Sequence, residues 1–172
     1  MADFHAAVTV LLAHEGGYAI KDAAAGAVNF GITQRFIERT GRAKPGQEAA
    51  EYVKNLTAVR ATLIYRSDFW EAYNINRITD DDLATAMLSM VVNIGPSPAV
   101  KTIQRALNEL GMVLATDGVL GPITIAAINL HPARGIGQVW RPRLDQHYRD
   151  VEENVGTQYM KGWMTRLDDL FR

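Results

Sequence analysis

The chain contains no cysteine in its 172 residues, which excludes disulfides, thiol nucleophiles and cysteine-ligated metals. No apolar run approaches the roughly 20 residues that span a bilayer, so stable membrane insertion is not expected. Net charge is only -1, and no basic run or arginine-rich arm is present, which excludes a dedicated nucleic-acid binder. Between Arg35 and Arg66 seven Lys/Arg face three acids, Glu38, Glu48 and Glu51; this reads as a face for an anionic polymer or as a solvated helix surface. No charged segment followed by an apolar one opens the chain, so synthesis and folding in a cytoplasm are expected. There is no Ser- or Gly-rich linker, no low-complexity segment and no internal repeat.

Several chemistries are missing too. His14-Glu15 begins like a zinc-protease motif, but Tyr18 stands where the second histidine is required. His5, His14, His131 and His147 form no other ligand pattern. No Gly-x-Ser-x-Gly elbow, phosphate-binding loop or dinucleotide fingerprint occurs. Asp80-Asp81-Asp82 lacks the alternation of a calcium loop and reads as a helix start. No metal or cofactor is expected.

What is present is mostly helical periodicity. Hydrophobic content of 48% and charged content of 22% suit a globular body. Phe4, Val8, Leu11, Leu12 and Glu15 share one face of a helix capped by Asp3 and stopped by Gly16-Gly17. Val28 to Ile32 is expected to form one arm of a small hairpin. Thr33 caps a helix to about Thr40, and Arg42 to Gln47 is a Pro/Gly loop. Thr57 caps a helix through Tyr65 to Phe69, with Val59, Leu63 and Ile64 inward. A helix from Asp80 carries the stripe Leu83, Met87, Met90, Val91 and Ile94. Another presents Val100, Ile103, Leu107 and Leu110. Asp117-Gly118 makes a turn, and Gly121-Pro122 starts a helix with Ile125, Ile128 and Leu130. Two last helices cover about 134–153 and 157–171, with Trp140 and Trp163 assigned to packing. The fold class is mainly α, with a small β-hairpin after the first helix.

Glu15 is the most informative residue. Its carboxylate points where core residues point, at the helix end that carries partial negative charge. Desolvation and the dipole both disfavour ionisation at such a position. A carboxyl that keeps its proton near neutrality is what a general acid needs. The plainer reading is a solvated carboxylate beside a Gly-Gly cap. Carboxylate chemistry beside an aromatic-lined polar loop suits glycosidic cleavage.

Glu15-Gly16-Gly17-Tyr18, then Asp22, Gly26 and Asn29-Phe30-Gly31-Ile32-Thr33, resembles the signature of glycoside hydrolase family 108, the N-acetylmuramidases of phages and prophages. Leu56 to Trp70, with Tyr65, Asp68, Phe69 and Trp70, and Val92-Asn93-Ile94-Gly95 continue the likeness. Val100 to Asn108 and Asp117-Gly118-Val119-Leu120-Gly121-Pro122 resemble the predicted peptidoglycan-binding unit that accompanies the family, and Gly162-Trp163 with Arg166 fits its end. One loop departs: Ala23-Ala24-Ala25-Gly26-Ala27 replaces an Asp-Pro-Gly-Gly stretch, and Val28 stands where Thr is expected.

The resemblance implies a lysozyme-like helical globule with a catalytic muramidase part at 1–95 and a peptidoglycan-binding-like part at 96–172, packed as one body. It implies hydrolysis of the β-1,4 bond between N-acetylmuramic acid and N-acetylglucosamine, with Glu15 as catalytic acid. Asp22 is the first candidate for the second group, stabilising the cation or orienting water, or else an Asx-turn residue. Tyr18, Asn29, Phe30, Trp70, Tyr73 and Asn93 are candidates for holding sugar, each with a core role as the alternative. The expected partner is the glycan strand, met by a monomer released from the host cytoplasm to the wall through a holin. A non-catalytic wall-binding protein and a lytic transglycosylase remain the alternative functions.

Overall fold

The computed structural model describes residues 1–20, 26–155 and 160–171. Helix α1, Phe4–His14, starts as its sequence dictates: the Asp3 carboxylate accepts the His5 N–H at 2.8 Å. A three-stranded antiparallel sheet follows, β1 Ala19–Ile20, β2 Ala27–Asn29 and β3 Ile32–Thr33. Its register pairs Ala19 with Val28 and Asn29 with Ile32. Val28 to Ile32 is therefore not one arm of a hairpin but both arms and the turn. Phe30 (φ 51°) and Gly31 (φ 76°) supply the two left-handed residues of a tight primed turn.

Thr33 caps α2, Gln34–Arg39, through the Phe36 N–H at 3.1 Å. Helix α3, Gln47–Lys54, follows the Pro/Gly loop and was not anticipated, because Gly46 at its start offers no capping side chain. Helix α4, Ala58–Tyr65, is capped by Thr57 and runs on as a π-helical turn over Arg66–Glu71. Its inward face is a correction. Val59 and Leu63 are 71% and 61% exposed, whereas Ala61, Ile64 and Tyr65 are buried. The stripe is set by Ala61 and Tyr65, four residues apart, and the small Ala lets the helix approach the core.

Helix α5, Asp81–Ile94, is the centre of the molecule, with Leu83, Met87, Met90 and Val91 buried as their spacing demands. It runs beside α1 in the same direction. The Asp3 N–H donates to the Asp81 carboxylate at 2.7 Å, and the Ala2 N–H to the Ile78 carbonyl at 3.1 Å. Two helices tied at their N-termini must present their C-termini, His14-Glu15 and Val92-Asn93, to one place.

Gly95 then turns the chain into α6, Pro96–Glu109, followed by α7, Pro122–Leu130, α8, Ala133–Val155, and α9, Met160–Leu170. Trp140 of α8 is fully buried and its indole N–H donates to Thr102 of α6 at 2.9 Å. One hydrophobic cluster runs from Phe4 and Leu11 through Met87 and Leu88 to Ile103, Trp140 and Leu167. The molecule is mainly α, with its small sheet packed after the first helix.

Candidate active site

Glu15 lies one residue beyond the last turn of α1, with extended backbone (φ -92°, ψ 136°) and its N–H on the Leu12 carbonyl at 3.3 Å. The helix therefore delivers the residue without containing it. Its side chain is 15% exposed. Gly16 and Gly17 have open space where a Cβ would stand, so their part is to let the chain leave the helix for the sheet.

The carboxyl packs against the β2–β3 turn. A Cβ on Gly31 would sit 2.5 Å from Glu15 Oε2 and 2.7 Å from the Tyr65 hydroxyl, so this close approach requires glycine. The turn is pinned from α4: the Tyr65 O–H donates to the Phe30 carbonyl at 2.6 Å. Phe30 is a bulky residue at positive φ, a conformation that persists only when its surroundings enforce it. Burial raises the Tyr65 pKa far above the usual phenol value, and the Glu15 carboxylate adds to the rise while Arg166 opposes it. Tyr65 is therefore a neutral donor at any working pH.

From the other side comes α9. Arg166 is buried; its Nη2 donates to Glu15 Oε1 at 3.3 Å and its Nη1 to Ser89 Oγ at 3.2 Å. Three residues on, Asp169 meets His14 Nε2 at 3.0 Å. Two adjacent residues at the end of α1 are thus matched to two positions one turn apart on α9.

The resulting cleft has a volume of about 280 Å³ and is lined by Glu15, Gly17, Val28, Thr33, Val92 and Asn93, among others. Two larger hollows, of about 370 and 640 Å³, lie along α8 and do not include Glu15. Among the described lining residues Glu15 is the one carboxylate, and Thr33 and Asn93 are the other polar side chains. Asn93 Oδ1 accepts from the Tyr148 hydroxyl at 2.8 Å, leaving the amide N–H groups for a ligand. Tyr148 is stacked on Trp163 with centroids 4.9 Å apart, and burial pushes its pKa up to about 12 despite the nearby Arg166. No three His, Asp or Glu side chains among the described residues gather as a metal site.

The other sequence candidates separate cleanly. Asp22 lies outside the described residues. Tyr18 is 44% exposed, immediately after the cleft glycines. Asn29 is a correction: it is buried, and its Nδ2 donates to the Val53 and Leu56 carbonyls at 3.1 and 3.3 Å, holding the sheet to α3. Trp70 is another, only 4% exposed and packed on Phe4 at 5.5 Å, out of reach of a ligand. Phe30 is the strained turn residue, partly buried against the core. Tyr73 is half-buried, tilted on Phe69 at 6.5 Å, and does not line the cleft. Arg166, Tyr65, Gly31 and Thr33 were not proposed as site residues from sequence. Gly31 carried a signal, since Asn-Phe-Gly between apolar residues is turn chemistry; Arg166, 151 positions from Glu15, stood out only beside Gly162-Trp163 in the terminal likeness, with nothing linking it to the carboxyl.

Comparison with known proteins follows the same outline. The family model described as Glycosyl hydrolase 108 matches residues 8–95. A solved structure, that of Brucella abortus SagA, is similar with a TM-score of 0.78 at 27% identity, over 97% of this chain and 90% of that one. Comparison with curated proteins gave no match. The family match stops at Gly95, the end of α5, while the likeness to SagA continues through the C-terminal helices.

Proposed function

The chain belongs to the glycosyl hydrolase 108 family, and from that premise we propose that it is an N-acetylmuramidase with Glu15 as its general acid. Membership makes it a glycoside hydrolase acting on peptidoglycan. The proposal adds the bond and the residue. Glu15 gives its proton to the glycosidic oxygen between N-acetylmuramic acid and N-acetylglucosamine as the bond from the anomeric carbon breaks. Positive charge spreads over the sugar ring, and water completes the hydrolysis.

The observation that carries this reading is the setting of Glu15: a largely covered carboxyl at a cleft, seated against a glycine turn. In this reading Asn93 and Thr33, which line the cleft, hydrogen-bond sugar hydroxyl and acetamido groups, and Tyr18, 44% exposed, stacks on a sugar ring. Asp22 stays as the second carboxylate, stabilising the cation or orienting water. Residues 96–172 are proposed to add wall affinity. A phage-endolysin role follows the same logic: a monomer made in the host cytoplasm, passed by a holin and acting on the wall.

Glu15→Gln tests the acid directly. Clearing of purified cell walls should fall by about 10²–10⁴-fold, the usual worth of a positioned general acid, with an unchanged circular dichroism spectrum. Full clearing by the folded variant removes Glu15 from the role. A second reading, lytic transglycosylase, is favoured by one observation: Glu15 is the one carboxylate among the described cleft residues, and that chemistry needs a single acid.

A further inference from the structure

We infer that Arg166 is a positioning residue for Glu15, so that the last helix, outside the family-matched segment, is part of the catalytic apparatus. The inference rests on the acid reading of Glu15 above and extends it to a group 151 positions away in the sequence.

The geometry is specific. The Arg166 side chain is 10% exposed and lies between two anchors, Glu15 Oε1 at 3.3 Å and Ser89 Oγ at 3.2 Å. Charge-assisted pairs commonly close to about 2.7–2.9 Å. The contact to Glu15 is thus looser than a locked ion pair, as suits a carboxyl that must also turn to a substrate oxygen. Ser89 is fully buried on α5, which fixes the guanidinium whether or not Glu15 is engaged. The His14–Asp169 contact at 3.0 Å fixes the rotation of α9 against the same helix end. Among the described residues, the Gly31 turn and the neutral hydroxyl of Tyr65 also stand against the Glu15 carboxyl. The titratable and charged groups that face Glu15 among the described residues are therefore Arg166 from α9 and Tyr65 from α4, with the His14–Asp169 pair behind.

This arrangement helps one step. As the Glu15 proton passes to the leaving oxygen, the carboxylate gains a full negative charge in a mostly covered site. A fixed guanidinium beside it stabilises that charge as it develops, without reorganising. The proton regained from water at the end of the cycle returns the acid to its starting form. Arg166 touches neither sugar nor water in this scheme; it acts through Glu15.

The test compares Arg166→Met, Arg166→Lys and Ser89→Ala, using soluble uncrosslinked glycan strands, with kcat, KM and the pH–rate profile read separately and folding checked by circular dichroism. Arg166→Met should lower kcat by about thirtyfold with KM within about threefold. Loss of the cation should also move the alkaline limb of the profile upward by about one pH unit. Arg166→Lys keeps the charge and should return the limb to its wild-type position with at least a third of the rate. Ser89→Ala leaves the guanidinium at Glu15 with one anchor fewer, and should lower kcat about threefold with the limb unmoved. An unmoved limb in a folded Arg166→Met enzyme overturns the inference, as does a defect confined to KM. Should Arg166→Met fail to fold, a Lys variant with kcat no better than one-hundredth of wild type overturns it equally. If Glu15→Gln is inactive while Arg166→Met is normal, only this inference falls; if Glu15→Gln is active, the acid reading falls with it.

Discussion

Residues 8–95 form the walls of the cleft, whereas residues 96–171 reach it through buried side chains, Arg166 against Glu15 and Tyr148 against Asn93. The first region works with backbone: a helix end, a two-glycine exit and a primed turn whose glycine admits a carboxyl. The second works with side-chain packing, α8 and α9 laid on α5 with Trp140, Leu144 and Leu167 fully buried. A family match that ends at Gly95 marks out the walls of the site and not the whole of it. The likeness to SagA over 97% of the chain agrees with a support that travels with the cleft rather than a detachable appendage.

The comparison breaks most easily at Trp140. Trp140→Ala empties the centre of the C-terminal packing and removes the indole donor to Thr102, whose hydroxyl keeps its bond to the Ala99 carbonyl, and should cost about 3–5 kcal/mol. Because one core cluster spans both regions, melting should remain a single transition at a lower temperature. Two resolved transitions, with wall clearing surviving the first, show that the C-terminal region folds and acts apart from the cleft.

Gly31→Ala strikes the other region. The new Cβ meets Glu15 Oε2 at 2.5 Å, and the left-handed backbone adds about 1–2 kcal/mol. Wall clearing should fall by at least about tenfold, more than the loss of stability explains, because the acid is displaced. A stable, fully active alanine variant breaks the claim that the turn positions the carboxyl.

Tyr148→Phe removes the hydroxyl's bond to Asn93 Oδ1 and its longer contact to Met90 Sδ at 3.6 Å. We expect a loss of about 1 kcal/mol in stability and a severalfold higher KM with kcat nearly unchanged. The smallest effect concerns His147. Burial lowers its pKa, with Asp150 opposing and Arg105 assisting. The fold therefore favours the neutral ring, and the unfolded chain takes up the proton first. Stability from this group is present above pH about 6.5 and declines as pH falls below it. The melting temperature of wild type should drop on acidification from pH 7.5 to 5.5 by about 1 °C more than that of His147→Gln; equal slopes contradict it.

Much of the fold was legible because capping and periodicity are local. Asp3, Thr33, Thr57 and Asp80 each cap the helix they were expected to cap. The α5 stripe is legible for the same reason, since a central helix has one answer to its spacing. Where several faces are apolar the pattern misleads: Val59 and Leu63 lost the inward face of α4 to Ala61 and Tyr65. Glu15 stood out because a carboxylate on an apolar stripe beside Gly-Gly is rare chemistry in a helix end. Asn29 and Trp70 were drawn toward the cleft by residue type, yet one satisfies backbone carbonyls and the other fills core. Arg166 was illegible as a partner because nothing in a sequence encodes which of thirteen arginine side chains a distant carboxyl will meet.

The most direct measurement of the central claim is mass spectrometry of the glycan ends that the wild-type protein releases from purified peptidoglycan. Muramidase chemistry at Glu15 predicts reducing N-acetylmuramic acid ends, absent from a Glu15→Gln digest. Anhydro-muramic ends, reducing N-acetylglucosamine ends, or binding to the wall with no ends released contradict it.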